Sequence, residues 1–222
     1  MSEYDAFQPY PEPNEPRIVG PEHRTIQNRL IAGYRSWGFY DGARVNGYGG
    51  MVDDGRWEPV AKNIVEHYNL TPGSRILQVG AHKGFLLKAL FDLEMRVYGT
   101  EVSAYACQKS VMKLMYAPFT KLPFNTDTFD LVIAASAVYT LNLPDAVQCL
   151  REIERVSKGR SWITLGAYED DYDTEGLMMM RYWTLLATTL LTKADWLAVM
   201  EHAGYTGDYR FYTAKTLNLR LA

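Results

Sequence analysis

The segment Arg75-Ile-Leu-Gln-Val-Gly-Ala-His-Lys-Gly84 decides the fold of this chain. Its first five residues form a short apolar run that stops at Gly80, a pattern typical of a buried strand. The loop 80–84 then leads directly into an apolar helical segment, 85–93. A strand that turns through a glycine loop into a helix is the opening unit of a doubly wound sheet.

Strands and helices alternate on both sides of this unit. A helix is predicted at 57–68, where apolar residues recur at helical spacing. After the unit, strands are predicted at 96–99, 130–135, 161–165 and 208–213, and helices at 103–114, 144–156, 175–190 and 192–202. This order predicts an α/β fold, with a doubly wound, mostly parallel sheet and helices on both of its faces.

The length and composition indicate one globular domain with two preceding segments. The chain has 222 residues, of which 47% are hydrophobic, enough for one core. Residues 1–21 carry five prolines and are predicted to be an extended or partly disordered arm. Residues 22–56 are rich in aromatic residues and glycine, as in a packed cap or a mobile lid, and 57–222 form the α/β domain.

Charge and cysteine usage limit the partners and the compartment. The net charge is −3 and Lys and Arg are scattered along the chain, which disfavours nucleic acid as a partner. Cys107 and Cys149 are far apart, which fits a reducing compartment. The longest apolar stretch, 183–191, is shorter than the roughly 18 residues of a membrane span. We therefore expect a cytoplasmic protein without a membrane partner.

A ligand of such a sheet lies outside the carboxyl ends of the strands, beside the glycine loop. Glu101 follows the next strand, about 20 residues after the loop, where a carboxylate can accept hydrogen bonds from a ribose diol. The alternative is a solvated carboxylate at a strand end. Because His82 and Phe85 replace two of the three glycines of a dinucleotide fingerprint, a nicotinamide or flavin cofactor is disfavoured.

Four segments of the chain resemble the class I S-adenosylmethionine-dependent methyltransferases, in the order and spacing of that family: 75–84, 97–103, 121–132 and 150–156. The resemblance covers roughly residues 60–213. It implies the Rossmann-like methyltransferase fold and S-adenosyl-L-methionine as cofactor. It also implies a set of cofactor-binding residues: Gln78, Gly80, Ala81, His82, Gly84, Glu101, Val102, Phe119 and Thr120.

Three positions depart from the family's usual residues. The family normally has an acid at Gln78, a glycine at His82, and an Asp or Asn near Pro118. An amide can accept one hydrogen bond but attracts an ammonium group less than a carboxylate does. Without a side-chain acceptor at Pro118, adenine would be read by the backbone near Phe119 or Thr120. The cofactor is thus either held in a modified way or no longer bound.

Two residues are candidates for catalysis, each with a plainer alternative. Tyr139 follows a predicted strand, where methyltransferases often place substrate-facing residues, and it could orient a nucleophile or be a buried tyrosine. His82 could be a general base, a partner of the cofactor carboxylate, or a loop histidine that faces water.

Further residues have an open assignment between site and packing. Tyr48 and Arg56, with Trp57, either close over the cofactor or pack the cap onto the sheet. Met178 to Met180 either line a substrate pocket or belong to the core, and the core is favoured. The acidic run 169–173 is a solvated loop rather than a metal site, because it lacks ligand spacing.

The sequence therefore predicts an S-adenosylmethionine-dependent methyltransferase that acts on a small-molecule acceptor, such as a sugar or biosynthetic intermediate, by O-, N- or C-methylation. A methyltransferase-like protein without catalytic activity is the alternative, one that binds a ligand or scaffolds an active paralogue. A homodimer or a heterodimer with that paralogue is the assembly considered. A third, weaker alternative is a use of the cofactor other than methyl transfer.

Overall fold

The computed structural model describes residues 1–11 and 15–222. Its strands are β1 (Arg17–Val19), β2 (Arg75–Val79), β3 (Arg96–Glu101), β4 (Met115–Tyr116), β5 (Leu131–Ala134), β6 (Ser161–Tyr168), β7 (Leu191–Thr192), β8 (Asp208–Tyr212) and β9 (Leu219–Leu221). Its α-helices are α1 (Ile26–Gly33), α2 (Trp37–Tyr40), α3 (Trp57–His67), α4 (Phe85–Asp92), α5 (Ala104–Lys109), α6 (Leu143–Val156), α7 (Thr174–Trp183) and α8 (Lys193–Ala203). Short 3₁₀ helices lie at Arg44–Asn46 and Val138–Thr140.

Seven strands form one parallel sheet in the order β4-β3-β2-β5-β6-β7, and β8 also pairs with β6. β6 has eight residues, long enough to pair with β8 over 162–166 and with β7 over its last two residues. The sheet and its flanking helices confirm the predicted α/β class.

Helices cover both faces because alternate residues of the central strands are apolar on both sides. Leu77 of β2 packs in a cluster with residues of α6 and α8, such as Leu150 and Trp196. Its neighbour Ile76 packs on the opposite face, in a cluster with residues of α3 and α4 such as Ile64. The first central strand is thus fixed from both faces, and with it the glycine loop that follows.

Two predicted helices are shorter than the sequence pattern suggests. α5 ends at Lys109 rather than near residue 114, because Ser110 adopts an extended conformation. α7 ends at Trp183 rather than at residue 190. The threonine-rich stretch after α7 makes hydrogen bonds outside a helix, since the backbone N–H groups of Thr188 and Thr189 donate to the carbonyl of Tyr139. β-branched threonines also favour helices less than the apolar pattern implies.

The described residues of the amino-terminal arm make more fixed contacts than their composition predicts. The backbone N–H of Tyr4 donates to the carbonyl of Tyr209, and the indole N–H of Trp162 donates to the carbonyl of Tyr4. Ala6 is fully buried. Further along, β1 pairs in parallel with β9 near the carboxyl end of the chain. Among the helices of the described residues, none is long and apolar enough to cross a membrane.

Candidate active site

The glycine loop 80–84 lies at the carboxyl end of β2 and is tightly held. Gly80 and Gly84 have positive φ angles of 73° and 78°, a backbone conformation that favours glycine. At Gly84 a side chain is also excluded by space, since a Cβ atom would lie 2.6 Å from the hydroxyl of Ser110. The backbone N–H groups of Gly80 and Ala81 both donate to the carbonyl of Thr100. Strand β3 therefore fixes the start of the loop.

Glu101 ends β3, and its carboxylate is buried at 1% exposure. Oε2 accepts a hydrogen bond from the backbone N–H of His82 at 2.8 Å. Oε1 accepts from the N–H groups of Val102 and Ser103, at 2.8 and 3.0 Å. Glu101 is thus not a solvated strand end, because it links the glycine loop to the turn after β3.

His82 occupies the centre of the loop with a positive φ of 52°, an uncommon conformation for a residue with a side chain. Its imidazole is enclosed by two tyrosines: the hydroxyl of Tyr40 lies 3.3 Å from Nδ1, and that of Tyr48 lies 3.2 Å from Nε2. Burial lowers the pKa of His82, Arg35 lowers it further, and Glu101 acts in the opposite direction. The side chain is therefore neutral at pH 7 rather than a charged loop histidine in water.

The cap, residues 22–56, is anchored to the loop by charged groups as well as by aromatic rings. Lys83 is buried and its ammonium group pairs with Asp41 of the cap. The same ammonium donates to the carbonyl of Met51 at 2.9 Å, and the hydroxyl of Tyr105 donates to the other oxygen of Asp41 at 2.7 Å. These contacts hold the cap over the loop.

A cavity of about 660 Å³ opens beside the loop, a size that accommodates a small-molecule ligand. Seven of the sequence-predicted site residues line it, namely Gln78, Ala81, His82, Gly84, Tyr48, Arg56 and Tyr139. The other five lie outside its lining, namely Gly80, Glu101, Val102, Phe119 and Thr120. The structure thus divides the predicted site residues into seven that line the cavity and five that do not.

Gln78 lines the cavity and has a side-chain oxygen without a hydrogen-bond partner in the described part of the chain. It is buried, and its side-chain Oε1 has no hydrogen-bond partner among the described residues. A buried acceptor without a partner costs roughly 1–3 kcal/mol. A ligand that donates a hydrogen bond at this end of the cavity would remove that cost.

Phe119 is one of the five predicted site residues that do not line the cavity, and it is a core residue. It is 2% exposed and packs among apolar side chains such as Val79 and Ala137. Its ring lies 3.4 Å from the position that a Cβ atom of Gly80 would occupy. The space beside Gly80 is therefore filled by the side chains of Phe119 and Ala137.

Tyr139 lies in the short helix after β5 and faces the same cavity as Gln78. Burial raises the pKa of its hydroxyl, and the neighbouring Ser136 acts in the opposite direction. Tyr139 is therefore protonated at pH 7 and can donate a hydrogen bond to a ligand. Ser136 also lines the cavity, with a positive φ of 54°.

Arg56 lies at the cavity rim, engaged with groups of the chain. Its guanidinium donates to both carboxylate oxygens of Asp54 and to the hydroxyl of Tyr10. A role for Arg56 in binding a cofactor carboxylate would require it to exchange this partner. Its neighbour Trp57 packs against Phe7 and Tyr10 of the arm.

The acidic run and the methionine stripe have structural roles. Asp173 caps α7 by accepting from the N–H of Gly176, and Glu169 pairs with Lys193. In residues 1–11 and 15–222, no three His, Cys, Asp or Glu side chains form a group that could hold a metal ion. Met180 is buried in a small cluster with Val19 and Leu219, as predicted for a core residue, whereas Met178 is 41% exposed and lies outside the core.

Several residues around the cavity escaped sequence reasoning. Tyr40 and Lys83 close the loop from the cap side. Arginines outside the predicted set also line the cavity, namely Arg17, Arg24, Arg35, Arg44 and Arg210. They are spread over almost the whole chain, so no local pattern in the sequence could have grouped them.

Comparisons with known proteins support this description. Residues 77–165 match the family described as methyltransferase domain. A protein of Bacillus subtilis named YcgJ has a similar structure, with a TM-score of 0.55 at 18% identity, over 64% of this chain and 66% of that one. For a methyltransferase-like structure from Bacillus halodurans the TM-score is 0.54 at 16% identity, over 65% and 68% of the two chains. Residues 77–165 are therefore similar to a methyltransferase domain, and the two similar structures share the fold of this chain.

Similarity in sequence extends to a plant enzyme. The chain is similar to cycloartenol-C-24-methyltransferase 1 of Oryza sativa subsp. japonica, at 34% identity over 124 residues, which are 46% of this chain and 36% of that protein. The matched part of the chain spans 35% to 42% of the length of its curated relatives.

Proposed function

We propose that the protein is an S-adenosylmethionine-dependent methyltransferase that acts on a small-molecule acceptor. The observation that supports this most directly is the unpartnered Oε1 of Gln78, buried at the carboxyl end of β2 where the cavity begins. In a family whose members hold the amino end of their cofactor near this strand end, an unmet acceptor at Gln78 fits the ammonium group of S-adenosylmethionine.

The residues present fit the two ends of this cofactor unequally. Gln78 and Ala81 line the cavity and would hold the methionine end. Glu101 would hold the ribose, and three of the roughly four acceptor positions of its carboxylate are already filled by backbone N–H groups. Because Tyr40 and Tyr48 cover His82 beside Glu101, binding of the nucleoside end requires the cap to move.

When bound, S-adenosylmethionine supplies a methyl group on a positively charged sulfur. The chain's own contribution is to position the acceptor against it and to exclude water. Tyr139 and Ser136 line the cavity on the acceptor side. As a protonated group, Tyr139 would orient an acceptor atom by donating a hydrogen bond, whereas neutral His82, held by two tyrosine hydroxyls, positions the loop.

One observation favours a second candidate function, a methyltransferase-like protein without catalytic activity that binds a ligand or scaffolds an active paralogue. Glu101 does not line the cavity in the described structure and is 1% exposed, and the core residue Phe119 packs beside the loop. A protein that never binds the nucleoside end of the cofactor would have no need to expose Glu101, so this arrangement favours the non-catalytic function.

Calorimetric titration with S-adenosylmethionine and S-adenosylhomocysteine separates the two functions. Gln78→Met removes the unpartnered oxygen at similar volume, and Gln108→Met, at an exposed position of α5, is the matched control. We expect saturable binding that Gln78→Met weakens at least about tenfold, since a hydrogen bond to a charged group contributes ~1.5–3 kcal/mol. No binding at millimolar ligand would refute the methyltransferase proposal and leave the non-catalytic function.

A further inference from the structure

The cavity beside the glycine loop is lined by six arginines, although the chain as a whole is acidic. These are Arg17, Arg24, Arg35, Arg44, Arg56 and Arg210. The net charge of the chain is −3, so this clustering is opposite to the average charge of the molecule. Among the described lining residues, Asp5 is the one acidic side chain. The arginines give the cavity wall a positive charge, which is offset at Arg56 by Asp54 and at Arg210 by Glu3 and Asp5.

Four of the arginines also line a neighbouring cavity of about 540 Å³, which shares part of its wall with the first. They are Arg17, Arg24, Arg44 and Arg56, and we call them the arginine cluster. His23, Trp183 and apolar residues such as Val19 also line this cavity, and none of its described residues is acidic. Arg17 belongs to the arm, and the other three arginines of the cluster belong to the cap.

Trp183 orients two members of the arginine cluster. The guanidinium carbons of Arg17 and Arg24 lie 4.8 and 4.5 Å from the centroid of its ring. Arg24 also donates to the carbonyl of Trp183. A guanidinium stacked on an aromatic ring is held in orientation, and Arg17 also donates to the carbonyl of Leu217 at 3.3 Å.

Arg44 and Arg24 bring positive charge that the groups bonded to them do not offset. Arg44 donates through one nitrogen to the carbonyls of Gly47 and Tyr48, at 2.9 and 3.1 Å, and carbonyls are uncharged. The pKa of Arg24 falls to about 10, first because of burial and then because of Arg44, Arg29 and Arg17. Arg56 differs, because Asp54 pairs with it.

We propose that the arginine cluster binds a phosphoryl group of the acceptor molecule. The assignment of this anion to a methyl acceptor rests on the proposed function, whereas the anion site itself does not. Arg24 and Arg44 carry two positive charges, and a phosphate monoester carries close to two negative charges at neutral pH. A carboxylate carries one, and offers fewer oxygens to several guanidinium groups. The arginine cluster, Gln78 and Tyr139 all line the cavity of about 660 Å³. A phosphoryl group at the cluster would therefore lie in the same cavity as the proposed methyl-transfer site.

Calorimetric titration of the full chain with phenyl phosphate, with benzoate as a carboxylate probe of the same organic body, tests the site. We expect saturable binding of phenyl phosphate, at least about tenfold tighter than that of benzoate, and weaker at higher salt. Equal affinity for the two probes, or no saturable binding of phenyl phosphate, would overturn the proposal.

A matched pair of variants locates the binding. Arg44→Gln removes an exposed member of the arginine cluster, and Arg96→Gln removes an exposed arginine at the start of β3, at the opposite edge of the sheet. We expect Arg44→Gln to weaken phenyl phosphate binding at least about fivefold and Arg96→Gln to leave it unchanged. An equal effect of both variants would show a general charge effect and contradict a site at the arginine cluster.

The two proposals fail separately because these titrations contain no S-adenosylmethionine. Binding of phenyl phosphate without any binding of S-adenosylmethionine keeps the anion site and refutes methyl transfer. The reverse result keeps the proposed function and refutes the anion site.

Discussion

The backbone N–H of His82 donates to Oε2 of Glu101 over 2.8 Å, and the imidazole Nδ1 of His82 lies 3.8 Å from the same oxygen. This contact joins the glycine loop after β2 to the end of β3, two segments that are 19 residues apart in sequence. Because the carboxylate is buried, the bond is not exchanged with water. The residue that the sequence assigns to ribose binding is therefore also a structural link between two segments of the chain.

The first prediction concerns that link. Glu101→Gln replaces one carboxylate oxygen by an NH₂ group, which faces a backbone donor instead of accepting from it. We expect the free energy of unfolding to fall by about 1–3 kcal/mol, measured by urea denaturation, because a buried donor loses its acceptor. Glu66→Gln, at an exposed position of α3, is the control and should change stability by less than about 0.5 kcal/mol. Equal stability of the Glu101 variant and the wild type would contradict the structural role.

The pH dependence of stability provides the second prediction. Burial keeps the pKa of His82 below its usual value of 6.5, so the unfolded chain takes up more protons than the folded protein as the pH falls below that value. This contribution to stability is therefore complete above about pH 6.5 and is lost towards lower pH, by at most about 1.4 kcal/mol per pH unit. Urea midpoints between pH 5 and 8 should fall less steeply for His82→Asn than for wild type.

The control for this experiment is His202→Asn, at an exposed position of α8. It should keep the slope of the wild type between pH 5 and 8. If His82→Asn also keeps that slope, the histidine is not held neutral by the cap.

The fold was accessible from the sequence because its signals are local. β2 begins and ends where the apolar run does, and α4 begins directly after Gly84 as predicted. Each of these elements depends on periodicity within a few residues, and burial on both faces of the sheet makes that periodicity visible. The sequence pattern does not predict β1 and β9, since each has three residues and depends on a partner strand about 200 residues away.

The site was accessible only in part. The glycine loop and Glu101 follow from the order of strands, because strand ends meet at one edge of a parallel sheet. The covering of His82 by Tyr40 and Tyr48, and the arginine cluster, depend on how the cap folds back over that edge. Scattered arginines gave no electrostatic pattern along the sequence, and their convergence exists only in three dimensions.

The third prediction tests the attachment of the amino-terminal arm. Trp162 is fully buried, and its indole N–H donates to the carbonyl of Tyr4 at 2.8 Å. Trp162→Phe removes the donor and leaves a smaller ring, so we expect a loss of about 2–3 kcal/mol in the free energy of unfolding. Trp37→Phe, where the tryptophan is 61% exposed, should cost less than about 0.5 kcal/mol. A loss as small as that of the control would show that the arm does not stabilise the domain.

The last prediction concerns the movement of the cap that the proposed cofactor binding would involve. The hydroxyl of Tyr48 lies 3.2 Å from Nε2 of His82 and helps to hold the cap closed over the loop. Tyr48→Phe removes this bond and keeps the ring that packs on Phe39. If the closed cap competes with the nucleoside end, loss of about 1 kcal/mol from the closed state should tighten S-adenosylmethionine binding about fivefold, because a ligand gains affinity when its competent state becomes more populated.

Calorimetric titration of the wild type, of Tyr48→Phe and of Tyr34→Phe measures this effect. Tyr34 belongs to the same cap but is 80% exposed, so its variant should bind as the wild type does. Weaker binding by Tyr48→Phe would show that the Tyr48 hydroxyl contacts the cofactor instead of competing with it. That outcome would reassign the cap from a cover that has to open to a wall of the binding site.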